Sequence, residues 1–392
     1  MKLKPYFEGL SASTFLLAGT SLFGDISTEM LYPILPLFLT GTLGVSVSMV
    51  GVIEGVAPAL QNITQGFSGW LSDRLQRRKA IALFGYGLAA IAKPLIGLAT
   101  GWQGVLVGRS LDRFGAGTRS APRDALIATS ADEAHRGKAF GLEGIGDNLG
   151  ACIGPLLTLS LVSFAGVRLR TIFFLTVIPG AVATLMTIFV REDPMKAPIA
   201  EKLEPDVGGF SIEYWRYLAV TAIFGLGNST NAFLILRTQT LGASFGSTIL
   251  IYACFNLVAA LASFPAGYVS DKWGRKRVLT AAFVVFVVVY IGFGLLTNLL
   301  AIALLFALYG AFQGAFRAVG KAMATDFVRA EARARGVGWY SATVGLSGLV
   351  ASLVGGALWT HVNPGATFLY GASFALAGAI ALQVLIPNRP RR

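Results

Sequence analysis

The sequence predicts an all-α membrane protein of twelve transmembrane helices arranged as two six-helix bundles. Three observations predict it: long apolar runs with little charge, basic residues gathered on one side, and an internal duplication. Of the 392 residues, 54% are hydrophobic and 13% are charged. A water-soluble domain carries roughly a quarter of its residues as charges, so most of this surface must face something other than water. A helix needs about 20 apolar residues to cross hydrocarbon, and twelve such runs can be placed in order. They are 14–39, 48–70, 79–98, 101–122, 138–162, 170–190, 215–237, 247–269, 278–296, 298–321, 335–359 and 365–386. Pro33 and Pro36 fall near the end of the first, where a bend is tolerated if neighbouring helices cover the freed carbonyls. The 47 glycines suit close helix packing in lipid. The only long polar stretch, 191–214, is rich in proline and mixed charge and reads as a linker. The domains are therefore a bundle over 1–190, a cytoplasmic linker over 191–214 and a second bundle over 215–392.

A net charge of +12 invites a nucleic-acid reading, but the charge is placed by topology. With the N-terminus inside, Arg168 and Arg170 are the only two of 32 Lys and Arg residues in outer segments. Lys93, Arg109, Arg113, Arg237 and Arg317 lie within spans, and all the rest face the cytoplasm. Such a bias sets orientation, so both termini are expected in the cytoplasm and nucleic acid has nothing left to explain. Lys2 and Lys4 precede an apolar run that carries Asp25 and Glu29 and lacks a small-residue cleavage site. It reads as a retained first helix. Cys152 and Cys254 read as buried fillers, with neither a disulfide nor a metal site.

The halves repeat. Gly69-Trp-Leu-Ser-Asp73-Arg-Leu-Gln-Arg77-Arg78-Lys79 follows the second span, and Gly267-Tyr-Val-Ser-Asp271-Lys-Trp-Gly-Arg275-Lys276-Arg277 follows the eighth. At nearly the same offset, Arg136-Gly137 recurs as Arg335-Gly336. Two similar units in one orientation imply a parallel repeat about an axis along the membrane normal, able to form a central cavity. The turns resemble the signature loop of the major facilitator superfamily, with Gln76 replacing the usual glycine of the first copy. The resemblance implies a cytoplasmic gate in which Asp73, Arg77, Arg78, Asp271 and Arg275 take part. Gly141, Gly150 and Gly154-Pro155 in the fifth span resemble a motif of proton-coupled exporters, without its closing Gly-Gly; the bland reading is close helix packing. Arg109 resembles an exporter arginine used in coupling, although Asp112 and Arg113 depart from the expected Gln and Gly. The resemblance implies a bacterial exporter of drugs or metabolites in the cytoplasmic (inner) membrane.

Charges inside the bilayer are costly and mark function. Asp25, Glu29, Glu54, Asp112, Glu143 and Asp147 all lie in spans one, two, four and five, whereas spans seven to twelve contain no acid. Asp25 and Glu29 share one helix face, as do Arg109 and Arg113, and Glu143 and Asp147. Asp25 and Glu29 are the leading candidates for the titrating carboxylates, against a static pairing or direct binding of a cationic solute. Arg109, Asp112, Arg113 and Asp147 form the alternative coupling set. Glu54 is open between a pair with Lys93 or Arg109 and a cavity role. Glu143, Arg123, Asp124 and Arg136 read as gating groups, matched in the second half by Asp326 and Arg335; for Arg119, orientation charge suffices.

The second half offers mostly neutral cavity candidates: Asn228, Asn231, Tyr252, Asn256, Gln313 and Trp339. Arg317 has three roles open, namely pairing across the cavity, binding an anionic solute, or reaching the cytoplasmic interface. His135 and His361 sit in loops on opposite sides, so no metal site is expected beyond an all-oxygen cation site. No cofactor is called for, and no Ser-His-Asp arrangement points to an enzyme. The expected function is proton-driven export of a small amphipathic organic solute by a monomer in the lipid bilayer. The alternatives are proton-coupled import of a metabolite or siderophore, and export of a divalent cation.

Overall fold

In the computed structural model, residues 9–132, 135–192, 210–329 and 333–387 are described, without the side chains of Asp73, Arg333 and Ala334. The core of the expected linker therefore lies outside the described residues. The chain is helical, apart from one isolated bridge between Leu10 and Ala131. In order the helices are α1 (Ala12–Glu29), α2 (Leu35–Leu37), a π-helical turn (Phe38–Thr42), α3 (Val47–Leu75), α4 (Arg78–Leu98), α5 (Trp102–Thr129), α6 (Arg136–Ser163), α7 (Leu169–Leu175) and α8 (Val177–Phe189). There follow α9 (Ile212–Gly225), α10 (Ala232–Thr240), α11 (Phe245–Trp273), α12 (Arg275–Leu295), α13 (Leu299–Asp326), α14 (Arg333–His361) and α15 (Pro364–Leu385).

Among the described residues, 8 helices are long and apolar enough to cross a membrane, with α7 and α8 taken together as Leu169–Phe189. The other four expected spans fall short for physical reasons. The first is broken after Glu29, where Pro33 supplies no N–H, and resumes through a π turn in which Leu43 N donates to Phe38 O at 3.0 Å. The seventh is broken between Gly225 and Ala232. The second and fourth, α3 and α5, carry polar side chains inside their length: Glu54, Gln61 and Asn62 on one, Arg109, Asp112, Arg113 and Arg119 on the other.

The helices gather into two units, Met1–Ile34 with Thr64–Leu203, and Leu35–Ile63 with Glu204–Arg392. In the first, α1 packs on α6 and α8, and α4 packs on α5 and α8. In the second, α11 packs on α13, and α12 on α13 and α15, with α9 against α14 and α15. The glycines of α6 explain one close pairing. A Cβ at Gly150 would stand 2.6 Å from Leu22 O, and one at Gly154 would stand 2.8 Å from Glu29 Cβ, whereas Gly141 faces open space. Gly150 and Gly154 thus let α6 lie directly against α1. The second unit instead interlocks aromatic rings, with Phe224 stacked on Phe283 at 3.9 Å and tilted against Phe312 and Phe316.

Both duplicated turns pass through a residue of positive φ. Gly274 takes φ 95° and Gln76 takes φ 52°, so both copies turn through the left-handed region. Glycine does so freely, whereas a residue with a Cβ pays a steric penalty there. The first copy therefore keeps the turn despite losing the glycine. The expectation of buried cysteines is corrected: both are free thiols, Cys152 half-buried and Cys254 exposed on an apolar helix.

Candidate functional site

Polar chemistry in the first unit divides into two clusters. One is closed around Asp112, which is fully buried on α5. Its Oδ2 accepts from Arg109 Nη1 at 2.9 Å and from Arg113 Nε and Nη2 at 2.9 and 2.8 Å. Its Oδ1 lies 3.6 Å from Lys93 Nζ. The ammonium in turn donates to Ser27 Oγ at 2.9 Å, and Ser27 donates to Thr176 O at 2.7 Å. The guanidinium of Arg109 also sits over the Tyr32 ring. Three cations fix one carboxylate from two helices, which suits a structural tie. Lys93, weighed as a partner of Glu54, is paired with Asp112.

The other cluster is more open. Asp25 on α1 and Asp147 on α6 are both half-buried, and their carboxyl groups lie within hydrogen-bonding reach of each other. Arg119 and Glu29 are near enough to act on Asp25 electrostatically. The close approach at Gly150 creates this pair, because a Cβ there would meet Asp25 Cβ at 2.8 Å. Arg119 lies against Gly24 and stacks its guanidinium 4.2 Å over the Tyr86 ring, whose buried hydroxyl has no hydrogen-bond partner among the described residues. One turn earlier on α6, Glu143 Oε1 accepts from Ser21 Oγ at 2.9 Å and pairs with Arg123 at 3.0 Å. Arg123 also pairs with Asp124 at 2.9 Å. The expected same-face pair Glu143 and Asp147 thus meets α1, with the partner of Asp147 being Asp25.

Sequence reasoning missed Arg119, Tyr86 and Ser21. A signal for Arg119 existed: it stands seven residues after Asp112 and four before Arg123, on one face of α5.

In the second unit the break between α9 and α10 is met by side chains. Tyr309 donates to Asn231 Oδ1 at 2.8 Å, Thr230 N donates to Ser352 Oγ at 3.1 Å, and Ser229 Oγ lies 3.5 Å from the Tyr290 hydroxyl. Tyr252 is buried against Phe255, which stacks on Tyr309. Asn228 and Asn256 are half-buried. Trp339 packs edge-on against Trp215, about 20 Å along α14 from Ser352, so it does not join this group. Arg237 donates to Phe293 O and Leu296 O and caps the end of α12. Arg317 is exposed, with no ion pair or hydrogen bond among the described residues.

At the signature loops, Arg275 joins three helices: it reaches Asp271 at 3.8 Å, bonds Asp326, and donates to Ala322 O at 2.7 Å. The Asp73 side chain lies outside the described residues, and Arg77 is exposed. Arg78 N and Lys79 N donate to the carboxylate of Glu192 at 2.7 and 3.1 Å, so an unforeseen acid caps α4. Arg136, weighed as a partner of Asp73, donates to Ala128 O, and Arg335 lies over the Phe210 ring.

The sequence profile of the Major Facilitator Superfamily matches residues 17–220 and again 217–392. An uncharacterized MFS-type transporter of Methanocaldococcus jannaschii is 34% identical over 381 residues, which cover 95% of this chain and 94% of that one. The multidrug resistance protein MdtG of Citrobacter koseri is 28% identical over 279 residues, 67% of each chain. The crystal structure of the nucleoside transporter NupG superposes with a TM-score of 0.82 at 14% identity, over 96% of this chain and 100% of that one.

Proposed function

Because the chain belongs to the major facilitator superfamily, and is therefore a membrane transporter of small solutes and not an enzyme, we propose that it exports an amphipathic organic solute in exchange for protons. In this reading it crosses the inner membrane twelve times, as two six-helix bundles with both termini in the cytoplasm, and works as a monomer by alternating access. The observation that carries it is the Asp25–Asp147 carboxyl pair. Two carboxyl groups can share a hydrogen bond only when one holds a proton, and like charges at that distance repel when both are ionised. The pair is half-buried, so a proton can reach it. Asp112 is a poor carrier by contrast, since three cations are already packed against its carboxylate. Export as the direction is supported by the relatives named multidrug resistance protein.

Proteoliposomes holding a trapped pH dye test this, with counterflow of a metabolite library used to find a transported solute. A gradient of that solute should then move protons the opposite way. Solute movement with no dye response would overturn proton coupling, and a response of the opposite sign would make the chain an importer.

A further inference from the structure

Arg237 caps a helix end, and Arg275 is bound to Asp326. Arg317 has no hydrogen bond or ion pair among the described residues, and neither has Lys321 one turn further on. Arg317 lies nine residues before the end of α13 at Asp326, about 13 Å along the helix. The span expected from hydropathy ends at residue 321, so Arg317 stands about 6 Å inside the edge of the hydrocarbon, where an ionisable side chain marks a candidate functional site.

The helix phase says which way it faces. Leu300, Leu304 and Leu308 are exposed and form the lipid stripe of α13. At about 100° per residue, Arg317 lies about half a turn round from Leu308. It faces away from lipid and is nevertheless exposed. Gln313 stands one turn above it on the same face, and its buried Oε1 has no hydrogen-bond partner among the described residues. Above that, the Tyr309 hydroxyl donates to Asn231 Oδ1. The stripe thus offers a charged fork and, about 5–6 Å away on the next turn, one unmatched acceptor, with the aromatic stack of Phe255 and Tyr309 packed behind them.

We propose that Gln313 and Arg317 are a recognition subsite for an organic anion, a carboxylate or phosphonate, that carries a hydroxyl or amine donor about one helical turn from its charge. The guanidinium takes the anion as a planar fork. The amide oxygen takes the donor, and it discriminates because an analogue lacking that donor leaves it buried and unpaired. Lys321 extends the positive stripe towards the cytoplasm and steers anions in. The inference rests on the transporter reading but not on its coupling ion, so it is tested at equilibrium with no proton gradient.

The probes are 3-hydroxyphenylacetate, whose hydroxyl stands about one helical turn (~5–6 Å) from its carboxylate, its neutral amide 3-hydroxyphenylacetamide, and phenylacetate, which lacks the hydroxyl. Binding to the purified full-length protein in neutral detergent is read by thermal shift and equilibrium dialysis. 3-Hydroxyphenylacetate should bind about tenfold or more tighter than either analogue. Arg317→Gln should erase the preference for acid over amide, Arg317→Lys should keep part of it, and Gln313→Leu should erase only the preference for the hydroxyl. Arg237→Gln should change neither preference. Variants that melt as the parent does exclude misfolding, and Arg317→Lys supplies the folded comparison if the glutamine variant does not. Equal response to acid and amide, or a preference that survives in Arg317→Gln, would overturn the subsite. So would stabilisation that appears only with phosphatidylglycerol added to the detergent and not with the acid, which would make the partner an anionic lipid headgroup.

Discussion

Two aspartates on neighbouring helices differ in what surrounds them. Asp112 is enclosed by Arg109, Arg113 and Lys93, with no exposed surface. Breaking a buried ion pair from one side leaves uncompensated charge and costs about 3–5 kcal/mol. Asp112→Asn should therefore lower the melting temperature in detergent by many degrees and reduce yield, before transport is considered. Asp25→Asn removes a group that is half-buried beside another acid, so the same chemical change should leave stability near the parent's. Parallel melting curves check both. Equal losses would mean that Asp25 is as structural as Asp112. The residue pattern alone did not separate these acids, because spacing along α1, α5 and α6 gives faces and not the neighbour across the gap. It grouped Asp25 with Glu29, while the nearer carboxyl group belongs to Asp147.

The elements carry their own tests. Gln76 holds φ 52° where its repeat partner Gly274 holds 95°. A non-glycine residue in that region costs about 1–2 kcal/mol, and glycine gives part of the relief back through its freer unfolded chain. Gln76→Gly should raise the melting temperature slightly, whereas Gln76→Val, with a β-branched side chain, should lower it clearly; the reverse order would contradict the strain. Helix α4 is capped from a distance by Glu192, and Glu192→Ala should cost about 1 kcal/mol of stability. Hydrogen exchange at the first turn of α4 reads this locally, and unchanged protection there would contradict it. The turns themselves were legible in the sequence, since a repeated basic loop needs no tertiary information. The cap was not, because Glu192 sits in a polar run whose partner is more than a hundred residues away.

At the scale of the molecule, hydropathy and basic bias made the membrane class plain, and the duplicated loops pointed to the family. The broken first and seventh spans were only half legible. Pro33 and Pro36 announced the first, but Gly225 to Asn231 announced a bend only weakly, and its backbone is satisfied by Ser352, from a distant part of the chain. The neutral hydrogen-bonding group around Asn231 was missed in part for the same reason: Tyr309 and Tyr290 look like ordinary aromatics until the fold brings them to the break. The proposed topology has a direct check in a background without Cys152 and Cys254. A membrane-impermeant thiol reagent should label Val362→Cys in intact cells, where Val362 is exposed between α14 and α15. Ala197→Cys should label only after permeabilisation. The opposite pattern would invert the orientation.

The central claim is that protons ride on the Asp25–Asp147 pair, and exchange measured beside coupling tests it most directly. In one batch of proteoliposomes, labelled solute reports exchange between the two sides while a trapped pH dye reports proton flux. Exchange needs only a path and two gates, whereas coupled transport needs protonation to differ between states. The two acids form one coupled unit, so a single amide variant can leave partial activity and the double variant is decisive. Asp25→Asn combined with Asp147→Asn should keep exchange and lose solute-driven proton movement. Normal, pH-dependent proton flux in that folded double variant would contradict the account.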